Sequence, residues 1–213
     1  MKLENKQYYQ ELIKDENLET YLTTREGSLD WMINKGPLKN QVVIDMEQVH
    51  SNDIFEVNMM PRSCNRETVV CVDGLITKLK NVFLVVRTAD CMPVIVYHPK
   101  SIIAVVHAGR KGTEECILYK ALENIKERFN IFDGFKIWFG PAICNNCYQI
   151  DKKDNIYYDL VGQNKRQLAQ AIDINKSTIT YSNMCTCCKN DVFYSYRKEG
   201  QNAGRIYSIV KMD

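Results

Sequence analysis

The sequence predicts an α/β domain in which a mixed β-sheet carries helices on its flanks. Three observations point there. Apolar, β-branched runs at Val82–Val86, Pro93–Tyr97 and Ile102–Val106 are short and bounded by turn residues, so they read as buried strands rather than helix. Downstream, Ile117, Ala121, Ile125 and Phe129 recur every fourth residue, the single apolar stripe of a helix lying on a core. Across all 213 residues there is no internal repeat, low-complexity tract or linker, which argues for one domain over residues 1–213.

The elements follow in chain order. Residues 1–19 are polar and mixed and read as a strand and a connection. Thr20-Tyr21-Leu22-Thr23-Thr24 has strand composition and runs into a turn at Arg25-Glu26-Gly27. Trp31 to Asn40 reads as irregular, with Gly36-Pro37 as a breaker. Gln41–Met46 is a strand leading to the polar stretch Glu47 to Asp53, which holds His50, and Ile54–Val57 resumes strand character. Met59–Arg66 is a loop. Thr68–Val72 and Leu75–Leu79 read as strands around Asp73-Gly74, a strong turn dipeptide. After the three central runs, Thr113 is positioned to cap the best helix. Glu114 and Glu115 fall in its first turn, and Lys126 and Arg128 complement its far pole. Asp133-Gly134 turns the chain into a strand at Phe135–Phe139, and Gly140-Pro141 opens a loop holding Cys144, Cys147 and Tyr148. Asn155–Ala171 reads as a second helix with Ile156, Leu160 and Leu168 apolar. Thr178–Tyr181 is a short strand, and Val192–Tyr196 and Arg205–Val210 close the chain.

Composition removes several function classes. With 28 basic and 26 acidic residues the net charge is +2, too balanced for nucleic acid as the main partner. The opening MKLENKQYYQ is charged and polar, unlike a secretory signal, and no apolar run approaches the ~20 residues of a membrane helix. The reading is a soluble, cytoplasmic protein. Its 9 Cys are then reduced core thiols, metal ligands or a catalytic thiol rather than a disulfide framework.

The chemistry concentrates at the ends of the central strands. Cys91 sits between the first two runs and His107 ends the third, so a rigid sheet can bring thiol and imidazole together. With His50 they offer two imidazoles and a thiolate, a set that suits Zn²⁺ with a fourth position open, where bound water loses a proton near neutral pH. A buried thiol beside hydrogen-bonded imidazoles fits the same residues, and no CxxC or HExxH pattern joins the three. His98, in His98-Pro99-Lys100-Ser101, reads as a structural or solvated turn residue. The stretch His107 to Thr113 runs from strand to helix N-terminus through Gly109 and Gly112. Its free amides, with Arg110 and Lys111, favour an anion, although an ordinary strand–helix turn would also use those glycines. Arg25, Arg197 and Arg205 lie near glycines at turns or strand ends, as phosphate or carboxylate ligands or as solvated surface. The Cys144-x-x-Cys147 pair and the Cys185, Cys187, Cys188 cluster offer a structural zinc site or a redox pair, but because the spacing inside the second cluster is not that of a zinc ribbon they read first as reduced thiols near a pocket.

Ordered blocks then make a resemblance. They are Thr24-Arg25-Glu26-Gly27, Gln48-Val49-His50, Asp73-Gly74-Leu75-Ile76-Thr77, Ala89-Asp90-Cys91-Met92-Pro93, Val106-His107-Ala108-Gly109 and Gly140-Pro141-Ala142-Ile143, then Cys147-Tyr148, Cys185-Thr186, and Phe193-Tyr194-Ser195-Tyr196-Arg197 with Gly204-Arg205. In this order the chain resembles the family variously called polyphenol oxidoreductase, laccase-domain or purine nucleoside phosphorylase-like proteins. The resemblance implies layered sheets with helices outside, and a catalytic metal site at His50, Cys91 and His107. The implied activity is Zn²⁺-dependent phosphorolysis of purine nucleosides such as adenosine, inosine, guanosine and methylthioadenosine, with adenosine deamination alongside. Arg25, Arg110, Lys111 and Arg197 become candidates for phosphate or substrate binding, and the implied small-molecule partners are a purine nucleoside and phosphate. Copper-dependent oxidation of phenols, the family's older description, is one alternative; three His in the whole chain are few for a multicopper cluster. A metal-free cysteine hydrolase with Cys91 as nucleophile and His107 as base is a second, and a non-catalytic relic that binds purines or a protein partner without turnover is a third. The chain departs from the family's usual HAGWRG, reading HAGRKG, and carries Cys144 and Gln149 where glycine and glutamate are usual.

Overall fold

The computed structural model describes every residue except Asn5 and residues 62–64. The chain opens with strands β1 (Lys2–Glu4), β2 (Tyr8–Gln10) and β3 (Leu18–Thr23), followed by helix α1 (Leu29–Asn34). Four strands follow: β4 (Val42–Met46), β5 (Ile54–Val57), β6 (Arg66–Val69) and β7 (Gly74–Thr77). The central stretch forms β8 (Val82–Thr88), β9 (Met92–His98) and β10 (Ile102–Ala108), then helices α2 (Arg110–Glu114) and α3 (Ile117–Phe129). Beyond it lie β11 (Lys136–Phe139), β12 (Gln149–Asp151), β13 (Ile156–Tyr157), α4 (Leu160–Ala171), β14 (Thr178–Tyr181), α5 (Tyr196–Glu199) and β15 (Ile206–Met212).

The strands build two large mixed sheets. One has the order β1-β2-β3-β15-β8-β4-β6 and the other β14-β11-β9-β10-β7-β5, with β12-β13 as a separate hairpin. In the first sheet β4 runs parallel to both β6 and β8; in the second, β14 runs parallel to β11 and β5 to β7. Alternate side chains separate three apolar layers. Leu22, Ile44 and Leu84 of the first sheet meet Leu75, Ile95, Val105 and Trp138 of the second. Val94, Val96, Val106 and Phe139 face the other way, onto Ile117, Ala121 and Ile125 of α3 and Leu160 and Leu168 of α4. On the far side Val43, Phe83 and Val85 receive Leu29 and Met32 of α1. Both faces of each sheet are covered, so the central strands are continuous apolar runs rather than alternating ones. Among the described residues, no helix is long and apolar enough to cross a membrane.

Four sequence expectations are corrected. The stretch from Trp31 is not irregular at its start, because it falls within α1. Ser28 caps that helix by accepting from the Trp31 amide at 3.1 Å, and the i, i+3 pair Leu29 and Met32 buries against the sheet. Thr113 does not cap a single long helix. It is buried near the end of α2, where its hydroxyl accepts from Asn164 at 2.9 Å and its carbonyl from Gln167 at 2.6 Å. The helix breaks after it at Cys116, whose φ is 60°. Asn155–Tyr158 is not helical: it supplies β13, and α4 starts only where Asp159 accepts from the Gly162 amide at 2.9 Å. Asp73-Gly74 does not turn one strand back on its neighbour, because β6 and β7 lie in different sheets. The loop read at Met59–Arg66 lies partly outside the described residues, and Arg66 opens β6.

Candidate functional site

The antiparallel register of β9 and β10 pairs Met92 with Ala108 and Pro93 with His107. Cys91, the residue before β9, therefore comes out beside His107. Asp90 presents it from a left-handed backbone (φ 90°) that its bonds secure. The Asp90 carbonyl accepts from the Ile143 amide at 2.9 Å, and its carboxylate from the Thr186 hydroxyl and the Arg197 amide, both at 2.6 Å. His50 arrives from the loop after β4, also left-handed at φ 61°. Its Nε2 lies 3.8 Å from Cys91 Sγ, and its ring meets that of His107 edge-on with centroids 4.8 Å apart.

Asp73 joins these parts. It is fully buried, and its carboxylate accepts from the amides of Val49 (3.1 Å), His50 (3.0 Å) and Ser51 (2.7 Å) and from the Ser51 hydroxyl (2.9 Å). His107 Nδ1 lies 2.6 Å from the same carboxylate. Burial pulls the Asp73 carboxyl upward, but His107 and Ser51 outweigh it and hold it below the ordinary value. An ionised Asp73 can only accept, so Nδ1 carries a proton and Nε2 is the nitrogen presented to Cys91. Burial would raise the Cys91 thiol; the His107 charge and bonds to both imidazoles bring it down to about 6. Burial would lower His107; the Cys91 thiolate and Asp73 lift it to about 9. Without a metal the pair is a thiolate and an imidazolium.

The ligating atoms of His50, Cys91 and His107 all lie within 4.8 Å of one another. Gly109 makes room for them. A Cβ there would sit 2.9 Å from His50 Cδ2, 3.2 Å from Cys91 Sγ and 3.6 Å from His107 Cε1. Its φ of −79° is open to any residue, so space rather than backbone freedom requires the glycine. Two imidazoles and a thiolate, with a carboxylate behind one imidazole, are a fitting set for a metal ion. Gly109→Ala is expected to weaken metal uptake here roughly 10–100-fold while leaving the circular dichroism spectrum unchanged, which a competition titration with a chromophoric chelator would measure.

The three residues lie in a cleft of about 950 Å³ that is also lined by Arg87, Arg110, Lys111, Arg197 and Arg205. Ile143, Tyr148, Leu160, Tyr196 and Tyr207 add apolar and aromatic surface. Arg197 donates to the Gln149 carbonyl at 2.7 Å and lies over the Tyr148 ring, and Arg110 reaches Glu114 at 3.4 Å. Arg25 is placed apart from the cleft lining. It bonds the Asn190 carbonyl, pairs with Glu199 at 3.1 Å and covers the Tyr194 ring, pinning the segment before α5. His98 is buried in the β9–β10 hairpin, with Nε2 3.0 Å from the Asp133 carbonyl oxygen. Arg87 and Asp73 escaped the sequence reading. For Asp73 a signal existed: a lone carboxylate between Val72 and Leu75 in apolar surroundings needs buried partners.

Known proteins resemble this chain in sequence and in fold. Residues 29–154 and 151–213 match the family model described as multi-copper polyphenol oxidoreductase laccase. A protein of Campylobacter jejuni named purine nucleoside phosphorylase Cj1217c is 33% identical over 180 residues, covering 78% of this chain and 75% of its own length. Adenosine deaminase RL5, from an unknown prokaryotic organism, is 28% identical over 161 residues, covering 65% and 62%. The crystal structure of the Bacillus licheniformis hypothetical protein YfiH superposes with a TM-score of 0.86 at 22% identity, covering 100% of this chain and 98% of that one.

Proposed function

Because the chain belongs to the multi-copper polyphenol oxidoreductase laccase family, we propose that it acts on purine nucleosides with zinc held by His50, Cys91 and His107. The reactions are phosphorolysis of adenosine, inosine, guanosine or methylthioadenosine, and deamination of adenosine. One observation carries the reading: the three ligands share a cleft with five cationic side chains and an aromatic wall. Phosphorolysis needs an anion site beside a pocket for base and ribose. Arg110, Lys111, Arg197 and Arg205, with Arg87, supply the charge, and Tyr148 offers a face for the base. The phosphate oxygen bonds to C1′ of the ribose as the bond from C1′ to the purine nitrogen breaks, and the leaving base takes up a proton. Deamination exchanges the 6-amino group for a water oxygen and releases ammonia. Bound zinc would supply a Lewis acid and a water that ionises near neutral pH. The chain's own part is to aim the ligands: Asp73 fixes the His107 tautomer, and the Val49–Ser51 amides hold His50 in place.

Two imidazoles and one thiolate suit a mononuclear zinc site better than a copper cluster. The third imidazole of the chain, His98, is engaged in its hairpin. The test is product analysis. Adenosine incubated with the protein should give adenine and ribose 1-phosphate only when phosphate is present, and inosine in either case. Absence of both products would sink the reading.

Protonation sets a second expectation. Between pH of about 6 and 9 the Cys91–His107 pair holds one proton, on the imidazolium. A metal needs the neutral imidazole. Zinc uptake at pH 7 should therefore release about one proton, and log K should rise by about one per pH unit through that window. Calorimetry in buffers of different ionisation enthalpy measures the proton count.

A further inference from the structure

A second group of metal-binding side chains lies outside that cleft chemistry. Cys185 and Cys188 are separated by two residues, as Cys144 and Cys147 are, so the chain carries two C-x-x-C pairs. In the sequence Cys187 obscures the second pair; in the fold it is buried in the core beside the helices. The fold brings the pairs face to face. The sulfurs of Cys144, Cys147, Cys185 and Cys188 all lie within 4.8 Å of one another, and those of Cys147 and Cys188 are 3.5 Å apart. Four sulfurs at about 2.3 Å from a tetrahedral zinc would be about 3.8 Å apart, so a small adjustment closes the shell.

The backbone is arranged for ligation as well. The amides of Cys144 and Cys188 both donate to Cys185 Sγ, at 3.3 and 3.4 Å, the kind of bond that orients a ligating thiolate and stabilises its charge. Ala142 bridges to Cys185 in parallel register, and its amide and carbonyl pair with Met184 and Thr186, so both turns are held in register.

We propose that Cys144, Cys147, Cys185 and Cys188 bind one zinc ion in a closed tetrathiolate site that uses none of the ligands of the cleft. With four protein ligands there is no open position, so the role is structural. The site ties the loop carrying Ile143 and Tyr148 to the segment carrying Thr186. Both reach Asp90, the residue that presents Cys91: Ile143 through its amide and Thr186 through its hydroxyl. The second zinc would hold one wall of the cleft without touching substrate.

Metal analysis of the reduced, full-length chain tests this independently of any activity. After dialysis, the Cys91→Ala protein should retain one zinc per chain, and adding Cys188→Ser should remove it. Cobalt substituted into the Cys91→Ala protein should give the visible bands and sulfur-to-cobalt charge transfer of a tetrahedral tetrathiolate. Should the double variant fail to fold, titrating the thiols of folded Cys91→Ala protein with a mercurial should release that one zinc. A Cys91→Ala protein without zinc would overturn the proposal. So would zinc unaffected by Cys188→Ser, or a Cys147–Cys188 disulfide in protein kept reduced throughout purification.

Discussion

Cys91→Ala is expected to lower phosphate-dependent release of adenine by at least ~10³-fold, with the circular dichroism spectrum unchanged. Cys91 lies on a connection rather than within a strand, and only part of it is covered, so its loss opens no core cavity. What goes is the sulfur proposed as a ligand, the only one lining the cleft among the described residues, and the negative partner of His107. The same loss should follow when wild-type protein is stripped with a chelator, and zinc should restore it. Undiminished turnover in the variant would refute the assignment of this site. Full activity in chelator together with loss in Cys91→Ala would instead make Cys91 a metal-free nucleophile with His107 as its base, a chemistry the thiolate–imidazolium pair also permits.

Asp73→Asn should damage both stability and metal binding although it preserves shape. An amide has one acceptor oxygen where the carboxylate has two, and its NH₂ would face the donors of the Val49–Ser51 loop or His107. Leaving such groups buried and unmatched costs about 3 kcal/mol, a fall in Tm of roughly 6–12 °C for a chain of this size. Losing the acceptor that fixes the His107 tautomer should weaken metal affinity a further 10–100-fold. Thermal melts and chelator competition separate the two effects. A variant with wild-type Tm and affinity would show that Asp73 is not the organiser of the site. The carboxyl is held below its ordinary value, so the stabilisation is present at neutral pH and is lost as acidity protonates Asp73. The gap between wild type and variant should close in strong acid.

The strands and the apolar stripe were legible because they are local. Unbroken β-branched runs and a period of four are written into neighbouring residues, and Val82–Val86, Pro93–Tyr97, Ile102–Val106 and the face of Ile117, Ala121 and Ile125 lie in elements of the corresponding kind. Cys91 and His107 were legible as neighbours because a hairpin fixes their register, and His50 joined them as a second imidazole in a polar stretch after a strand, a choice the resemblance then matched. Element ends were less legible. Thr113 has the side chain of a cap, yet Asn164 and Gln167 from another helix claim it. Asp73-Gly74 has the composition of a turn, yet it crosses between sheets.

By itself, then, the sequence determined the class of fold, the central strands and the chemical types gathered at their ends. Tertiary structure alone decided that Asp73 would be the buried acceptor behind His107, that Arg87 would enter the cleft while Arg25 stayed outside it, and that two distant C-x-x-C pairs would converge. Propensity and periodicity act over a few residues. These contacts join positions tens to more than a hundred residues apart, and they exist only once the packing of two sheets fixes where each loop emerges.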